Sequence, residues 1–351
     1  MLAGGHGTRL RPLTFTGNKH MLPIANKPML FYGLEHMIKA GIKEIGIVLG
    51  PIKESVTETI DDGSKFGVAV TYIDQPEPKG LAHAVLAAED FIADDDFVMY
   101  LGDNLLRQGI KPFVQLFSQN GCDCVIGVTH VKNPQMYGIV EMDDGKIIRL
   151  VEKPRDPKSN LALIGVYVFN HCIFDAAKAI KPSWRNELEI TDAIQKLFVD
   201  GKKINVQRVE GWWKDTGKPA DLLEANQLIL QDLESTNNGI IDDGAKITGK
   251  VSIGDGTLIN ESAVLRGPII IGKNCEIGPE VYIGPYTSIG DNCRIRGAEL
   301  ENSILMENVI INCNKRIIDS IVGRGSQITS AQDELPMGMR FIVGDSTYLS
   351  L

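Results

Sequence analysis

An aliphatic residue recurs every six positions through the last third of this chain: Ile241, Ile247, Ile253, Ile259, Leu265, Ile271, Ile277, Ile283, Ile289 and Ile295. Neither a helix of period 3.6 nor a simple strand of period 2 produces that spacing. Two positions before most of them stands a small or β-branched residue (Val251, Thr257, Ala263, Cys275, Val281, Thr287, Cys293), and a glycine follows several (Gly254, Gly272, Gly278, Gly284, Gly290). Alternate residues of a strand share a face, so both columns point into one interior while the glycine turns the corner. Three hexads per triangular coil make a β-helix in which each coil rests on the one below. Cys275 and Cys293 then stack in one column as core residues. From Glu301 the phase slips to Ile304 and Ile310, which reads as an insertion followed by another turn or two.

Before about residue 235 the period is different. Short β-branched runs (Glu44 to Leu49, Val68 to Ile73, Phe97 to Leu101, Cys124 to Thr129) alternate with helix-period stretches such as Met29 to Ala40 and Leu81 to Phe91. A last helix covers Ala220 to Leu233. This alternation predicts an α/β domain with a Rossmann-like, mixed, mainly parallel sheet covered by helices. The polar stretch Glu234 to Gly239 reads as a boundary. The expected organisation is an α/β domain over 1–235, a β-helix of hexapeptide repeats over 240–330 and a C-terminal tail over 331–351. A chain of 351 residues suits two domains better than one core. A β-helix offers flat sides and two coil ends that need cover, so a homo-oligomer is expected.

Charge and cysteine usage narrow the partners. A net charge of −9 argues against nucleic acid, which wants a basic face. No uninterrupted apolar run is long enough to span a bilayer, so no membrane partner is expected. Six cysteines scattered over the whole length are not a disulfide framework and point to a reducing, cytoplasmic setting. Cys122 and Cys124 lie in an apolar run without zinc-ligand spacing and are read as structural.

The chemistry gathers at the other end of the chain. Gly4, Gly5 and Gly7 follow a short apolar start, Met1 to Ala3, which reads as the end of a strand. Glycines there let backbone N–H groups approach an anion without a Cβ in the way, and Arg9 adds a bidentate fork for phosphate oxygens. A plain tight turn is the alternative. The stretch is neither a Walker A loop, since no Gly-Lys-Ser/Thr closes it, nor the dinucleotide fingerprint. Asp103 ends the buried run Phe97 to Leu101, on the edge where such sheets bind ligands, or else caps the next segment. Asp215 follows two tryptophans; if the two carboxylates meet, they suit Mg2+ in an oxygen shell completed by phosphates and water. Lys19 and Lys153 are candidates for fixing two phosphates, or ordinary surface lysines.

Taken in order, the following blocks resemble the sugar-1-phosphate nucleotidylyltransferases: Gly4-Gly5-x-Gly7-Thr8-Arg9-Leu10 with Pro12 and Thr14, Lys19 with Leu22-Pro23, Gln75-Pro76 with Gly80-Leu81-Ala82, Leu101-Gly102-Asp103-Asn104, Tyr137-Gly138, Glu152-Lys153-Pro154, Glu187 to Asp192, and Trp213-Lys214-Asp215-Thr216-Gly217. The similarity runs over essentially the whole chain. Within the family it is greatest to the long thymidylyltransferases that carry a C-terminal left-handed β-helix. The resemblance implies transfer of a nucleotidyl group from dTTP, or UTP, to glucose 1-phosphate or a related sugar phosphate, with Mg2+ as cofactor. It implies that Gly4, Gly5, Gly7, Thr8 and Arg9 embrace the triphosphate, and that Lys19 holds the α-phosphate region. Gln75 and Gly80 would read the pyrimidine edge, where an amide can donate and accept. Asp103 and Asp215 would hold the metal. Gly138, Glu152 and Lys153 would orient the sugar phosphate, with Trp213 beside them.

One departure from the family is the start: relatives carry a few more residues before the position of Leu2, so most of the first, central strand is expected to be lacking. Two other readings compete. Hexapeptide β-helices often carry acetyl transfer, but that wants a histidine on the β-helix, and His6, His20, His36, His83, His130 and His171 all precede it. A catalytically idle regulatory paralogue tends to lose the cations and carboxylates that this chain keeps.

Overall fold

A computed structural model describes residues 1–330 and 346–348. The rest of the tail expected at 331–351 lies outside the described residues. Two compact units are present: Met1–His6, Gly17–Met21 and Met29–Asp215 in the first, Gly7–Thr16, Leu22–Pro28 and Thr216–Leu351 in the second.

In the first unit the principal elements are β1 (Leu2–Ala3), α1 (Met29–Lys39), β2 (Glu44–Leu49), α2 (Glu54–Ile60), β3 (Ala69–Asp74), α3 (Leu81–Ala87), β4 (Phe97–Tyr100), β5 (Asn104–Leu106), α4 (Lys111–Asn120), β6 (Cys124–His130), β7 (Gly138–Asp143), β8 (Lys146–Glu152), β9 (Leu161–Phe169), α5 (Cys172–Ala179), α6 (Ile190–Val199), β10 (Ile204–Arg208) and β11 (Trp213–Asp215). Helix α1 forms because Leu30, Leu34 and Met37 recur at helical spacing and bury one stripe. The helix expected over Leu81 to Phe91 breaks at Ala88, whose N–H turns back to Val85 and Leu86. Phe91 then lies over Gly46, where a Cβ would stand 2.8 Å from its ring.

Strands β1, β2 and β3 pair in parallel. A parallel bridge from Leu2 to Leu101 joins them to the end of β4. Strand β9 runs antiparallel to β4 and β6, and β10 is parallel to β6. Across the order β3-β2-β1-β4-β9-β6-β10, β9 alone opposes the others: a mixed, mainly parallel sheet. All nine residues of β9 are buried, as a strand covered on both faces requires. One covering layer includes Leu30, Leu34, Phe113 and Phe117. The other includes Val85, Ile173, Phe174, Ile194 and Leu197. Strand β1 is two residues long, and the Met1 nitrogen donates to Gly46 O at 2.7 Å.

In the second unit, helix α7 (Pro219–Gln231) opens with proline at its first position, and Asp221 accepts the Lys218 N–H at 2.9 Å. The β-helix follows as three parallel ladders of six, six and five strands. Its first strand is Thr236–Asn237, paired to Ser252 and Ile253. Ile253, Ile259, Leu265, Ile271, Ile277, Ile283, Ile289 and Ile295 are buried, and so are Thr257, Ala263, Cys275, Val281, Thr287 and Cys293. Burying each aliphatic side chain contributes on the order of 1.5–3 kcal/mol. Cys275 and Cys293 direct their Sγ atoms at Gly290 O (3.1 Å) and Met306 O (3.2 Å) in the next coil. Glycine is required at Gly254 by close approach: a Cβ there would stand 2.6 Å from the Gly272 carbonyl carbon of the neighbouring coil.

The phase slip differs from expectation. Ile283 pairs with Leu300, Ile289 with Leu305 and Ile295 with Ile311, so the slip begins before Leu300 rather than at Glu301. It arises from shortened corners, not an insertion. Dropping a corner residue leaves each strand in register with the one beneath, so the inward column survives.

Candidate active site

The chain leaves β1 at Gly4, which lies against Gly50: a Cβ on Gly50 would stand 2.6 Å from Gly4 O, and one on Gly4 would stand 3.2 Å from Gln75 Oε1. Gly4, Gly50 and Gln75 directly follow β1, β2 and β3, so they mark the carboxyl edge of the sheet. Asn18 ties the returning chain to that edge, its Nδ2 donating to Ala3 O (3.1 Å) and Ile52 O (2.9 Å). Its Oδ1 accepts the His20 N–H at 2.9 Å and lies 2.7 Å from His20 Nδ1. Burial, helped by the adjacent Lys19 charge, pushes His20 down to about 3. The neutral ring therefore donates from Nδ1 to Asn18.

This frame holds Lys19. Its stem passes 3.0 Å from where a Cβ on Gly5 would be, and its ammonium pairs with Asp103 Oδ2. Asp103 Oδ1 accepts from Asn104 Nδ2 at 3.1 Å. Burial opposes ionisation of Asp103, but Lys19 outweighs it and holds the carboxyl down at about 2. Asp103 thus precedes a strand and does not cap a helix.

Asn104 connects this corner to the far end of the unit. Its Oδ1 accepts from Gly165 N (3.0 Å) and Trp213 Nε1 (2.7 Å). A Cβ on Gly165 would stand 2.6 Å from the Asn104 amide carbon, so only glycine lets β9 approach it. Strand β11 pairs antiparallel with β5, placing Asp215 opposite Asn104, next to Asp103 in the chain. Asp103 and Asp215, far apart in sequence, are thereby brought to neighbouring backbone positions. Among the described residues no group of three or more His, Cys, Asp or Glu could hold a metal ion. Mg2+ binds through one or two carboxylates plus substrate phosphates, so two aspartates are donors of the right kind and number for it.

A second cluster surrounds Glu152. Its Oε2 accepts from Thr191 Oγ1 at 2.6 Å, and its Oε1 lies 3.3 Å from Lys153 Nζ and 3.6 Å from Arg185. Gly138 pairs with Glu152 across the β7–β8 hairpin, and a Cβ on Gly138 would fall on Thr191 Oγ1. Lys153 is in the left-handed region (φ 41°), with its N–H on Tyr137 O at 3.0 Å. The Tyr137 ring meets Trp213 edge-on, centroids 5.6 Å apart. Arg185 also pairs with Glu187 and lies 3.7 Å from Glu189. Burial raises Glu189, and the nearby Glu152 adds to the shift.

Gln75 departs from expectation. Its Nε2 is engaged by His83 Nδ1 (2.9 Å) and Gly80 O (3.4 Å), so the amide donors are used inside the protein. Gly80, at φ 105°, lies on the Leu188 backbone, where no Cβ fits. Gly7, Thr8 and Arg9 belong to the second unit, unlike Gly4 and Gly5. Gly7 is left-handed (φ 61°) and its carbonyl accepts from Thr14 Oγ1 at 2.8 Å. The Arg9 guanidinium lies 2.9 Å from where a Cβ on Gly217 would be. Sequence reasoning missed Asn104, Thr191, Arg185 and His83 as site residues. Asn104 and Thr191 stand inside the blocks Leu101 to Asn104 and Glu187 to Asp192, and Asn104 directly follows Asp103. No described helix is long and apolar enough to cross a membrane.

The nucleotidyl transferase family matches residues 1–232, and the GMPPB C-terminal domain matches residues 265–333. The chain is 48% identical to the low-salt glycan biosynthesis nucleotidyltransferase Agl11 of Haloferax volcanii, over 100% of this chain and 99% of that protein. It is 47% identical to a glucose-1-phosphate thymidylyltransferase of Streptomyces antibioticus, over 100% of this chain and 98% of that one. A provisionally assigned glucose-1-phosphate thymidylyltransferase of Bacillus anthracis, solved with sucrose, superimposes with a TM-score of 0.62 at 34% identity, covering 67% of this chain and 96% of that chain.

Proposed function

Because the chain belongs to the nucleotidyl transferase family and is a sugar-1-phosphate nucleotidyltransferase, we propose that it makes dTDP-glucose and pyrophosphate from dTTP and glucose 1-phosphate with Mg2+. A phosphate oxygen of the sugar attacks the α-phosphorus in line; the new O–P bond forms as the bond to pyrophosphate breaks. The sugar phosphate is already a nucleophile, so no general base is required. Placement and charge neutralisation carry the reaction. Lys19 meets the α-phosphate region, and Arg9, with Gly4, Gly5, Gly7 and Thr8, the departing pyrophosphate. Asp103 and Asp215 would hold Mg2+, which supplies positive charge against the phosphates when bound. Glu152 accepts from sugar hydroxyls, Lys153 faces the sugar's phosphate, and Gly138 leaves room for both, with Trp213 closing that side. Gln75 Oε1 accepts the imino N–H that thymine and uracil share and cytosine lacks, and Gly80 lines the same edge. The reading includes a cytoplasmic location and a homo-oligomer assembled through the β-helix.

The observation that carries this reading is the Lys19–Asp103 pair beside the Gly4–Gly5 turn, with Asp215 laddered next to Asp103. Initial rates of pyrophosphate release test it, using dTTP, UTP and CTP against the 1-phosphates of glucose, glucosamine and galactose, with Mg2+ or EDTA. We expect dTTP with glucose 1-phosphate to be fastest, CTP about 5- to 150-fold slower, as roughly 1–3 kcal/mol for an unpaired buried acceptor corresponds to, and EDTA to stop the reaction. CTP turnover equal to dTTP removes the role of Gln75; no release with any pair overturns the activity.

A further inference from the structure

Gln75 enters the site with its backbone already fixed, its N–H donating to Leu49 O on β2 at 2.8 Å. The side chain is buried, so what remains open is which end of the carboxamide faces which neighbour. Two partners decide that, and both belong to the same unit as Gln75. Gly80 O lies 3.4 Å from Nε2, and a carbonyl only accepts, so the amide nitrogen is the atom on that side. His83 Nδ1 lies 2.9 Å from the same nitrogen. The amide donates to both, so Nδ1 is the acceptor. That role requires the ring form with its proton on Nε2 and a bare Nδ1.

Gly80, at φ 105°, turns the chain into α3 so that His83, on the first turn of that helix, comes back to Gln75. Oε1 is left on the other side, 3.2 Å from where a Cβ on Gly4 would stand. Among the described residues it accepts no hydrogen bond. A ring offering N–H from Nδ1 would set donor against donor. The carboxamide would then turn over, bringing Oε1 to His83 and Nε2 beside Gly4. That exchange matters to a pyrimidine, because thymine and uracil present an imino N–H where cytosine presents a lone pair.

We propose that His83 is a positioning residue that sets base specificity: its Nδ1 lone pair fixes Gln75 so that Oε1 faces the nucleobase and selects thymine or uracil over cytosine. The selection is relayed, since His83 acts through the amide rather than on the base. This rests on the contact between Gln75 and the base proposed above.

The test is the ratio of kcat/KM for dTTP to that for CTP, measured on the full-length chain with His83→Leu and with His83→Asn. His83→Leu removes the acceptor and should lower the ratio about 2- to 12-fold, as one neutral hydrogen bond of roughly 0.5–1.5 kcal/mol corresponds to. His83→Asn offers Oδ1 in place of Nδ1 and should bring the ratio back to the parent value. KM for glucose 1-phosphate should not move, because Glu152 and Lys153 are held by Thr191, Arg185 and Tyr137 instead. Nitrogen NMR shifts of the His83 ring in the unsubstituted chain at mildly alkaline pH should report a protonated Nε2 and a bare Nδ1. That readout needs neither a variant nor turnover. A ratio unchanged by His83→Leu, a ratio lowered equally by both substitutions, or a protonated Nδ1 overturns the inference. A parent chain that turns over CTP as fast as dTTP, or turns over neither, instead overturns the reading of Gln75 or the activity on which it rests.

Discussion

Lys19→Met isolates the electrostatics of the site. The Lys19 and Asp103 side chains are 13% and 17% exposed, nearer the buried regime than the surface one. Removing one partner of a buried pair costs roughly 3–5 kcal/mol, against about 0.2–1 kcal/mol for a surface pair. Neither side chain is fully dry, so the lower end applies: about 3 kcal/mol at pH 7. The pH dependence follows from the direction of the shift. With Lys19 present Asp103 titrates at about 2, below the usual 3.8, so its contribution is complete above pH 3.8 and is lost as pH falls through 2. Without Lys19, burial works against the ionised carboxyl with only the smaller help of His20 and the Asn104 hydrogen bond, and the variant is penalised wherever that carboxyl is ionised. Urea unfolding at pH 7 and at about pH 4 reads both effects: the deficit should shrink on acidification. Adding Asp103→Asn removes the stranded charge and should regain most of the loss, while pyrophosphate release stays abolished. A deficit below about 1 kcal/mol, equal deficits at both pH values, or a strictly additive double variant would refute the reasoning.

Two further substitutions probe the other parts. Gly138→Ala puts a methyl onto Thr191 Oγ1 and 3.0 Å from Glu152 Oε2; KM for the sugar phosphate should rise about tenfold, as loss of a charged hydrogen bond predicts, and initial rates showing no change would detach Glu152 from the sugar. Ile277→Ala empties a fully buried position in the β-helix and should cost about 2–5 kcal/mol in denaturant unfolding; a loss under about 1 kcal/mol would mean that the column collapses freely.

Only part of the site could be read without coordinates. Glycines, lysines and aspartates announced themselves by type and by recurring blocks, and the ladder from Asp215 to Asn104 brought the two acidic segments together. Asn104 and Thr191 carry no such signal: each matters through a hydrogen bond to a residue far along the chain. The phase of the late β-helix was hidden for a local reason. Ile304 and Leu305 are adjacent, as are Ile310 and Ile311, so both phases present an aliphatic residue every six positions.

Periodicity alone determined the two architectures, because burying one face of a strand or helix constrains residues near each other in sequence, and that constraint is written in the spacing. Which loop travels with which unit was decided only by the tertiary structure. Gly7–Thr16 and Leu22–Pro28 group with the β-helix although they interrupt the α/β part of the chain. A neighbour far along the chain leaves no period behind, so the placing of Arg9 beside Gly217, and the hydrogen bond from Ala25 N to Asn226 Oδ1, became visible only once the chain had folded.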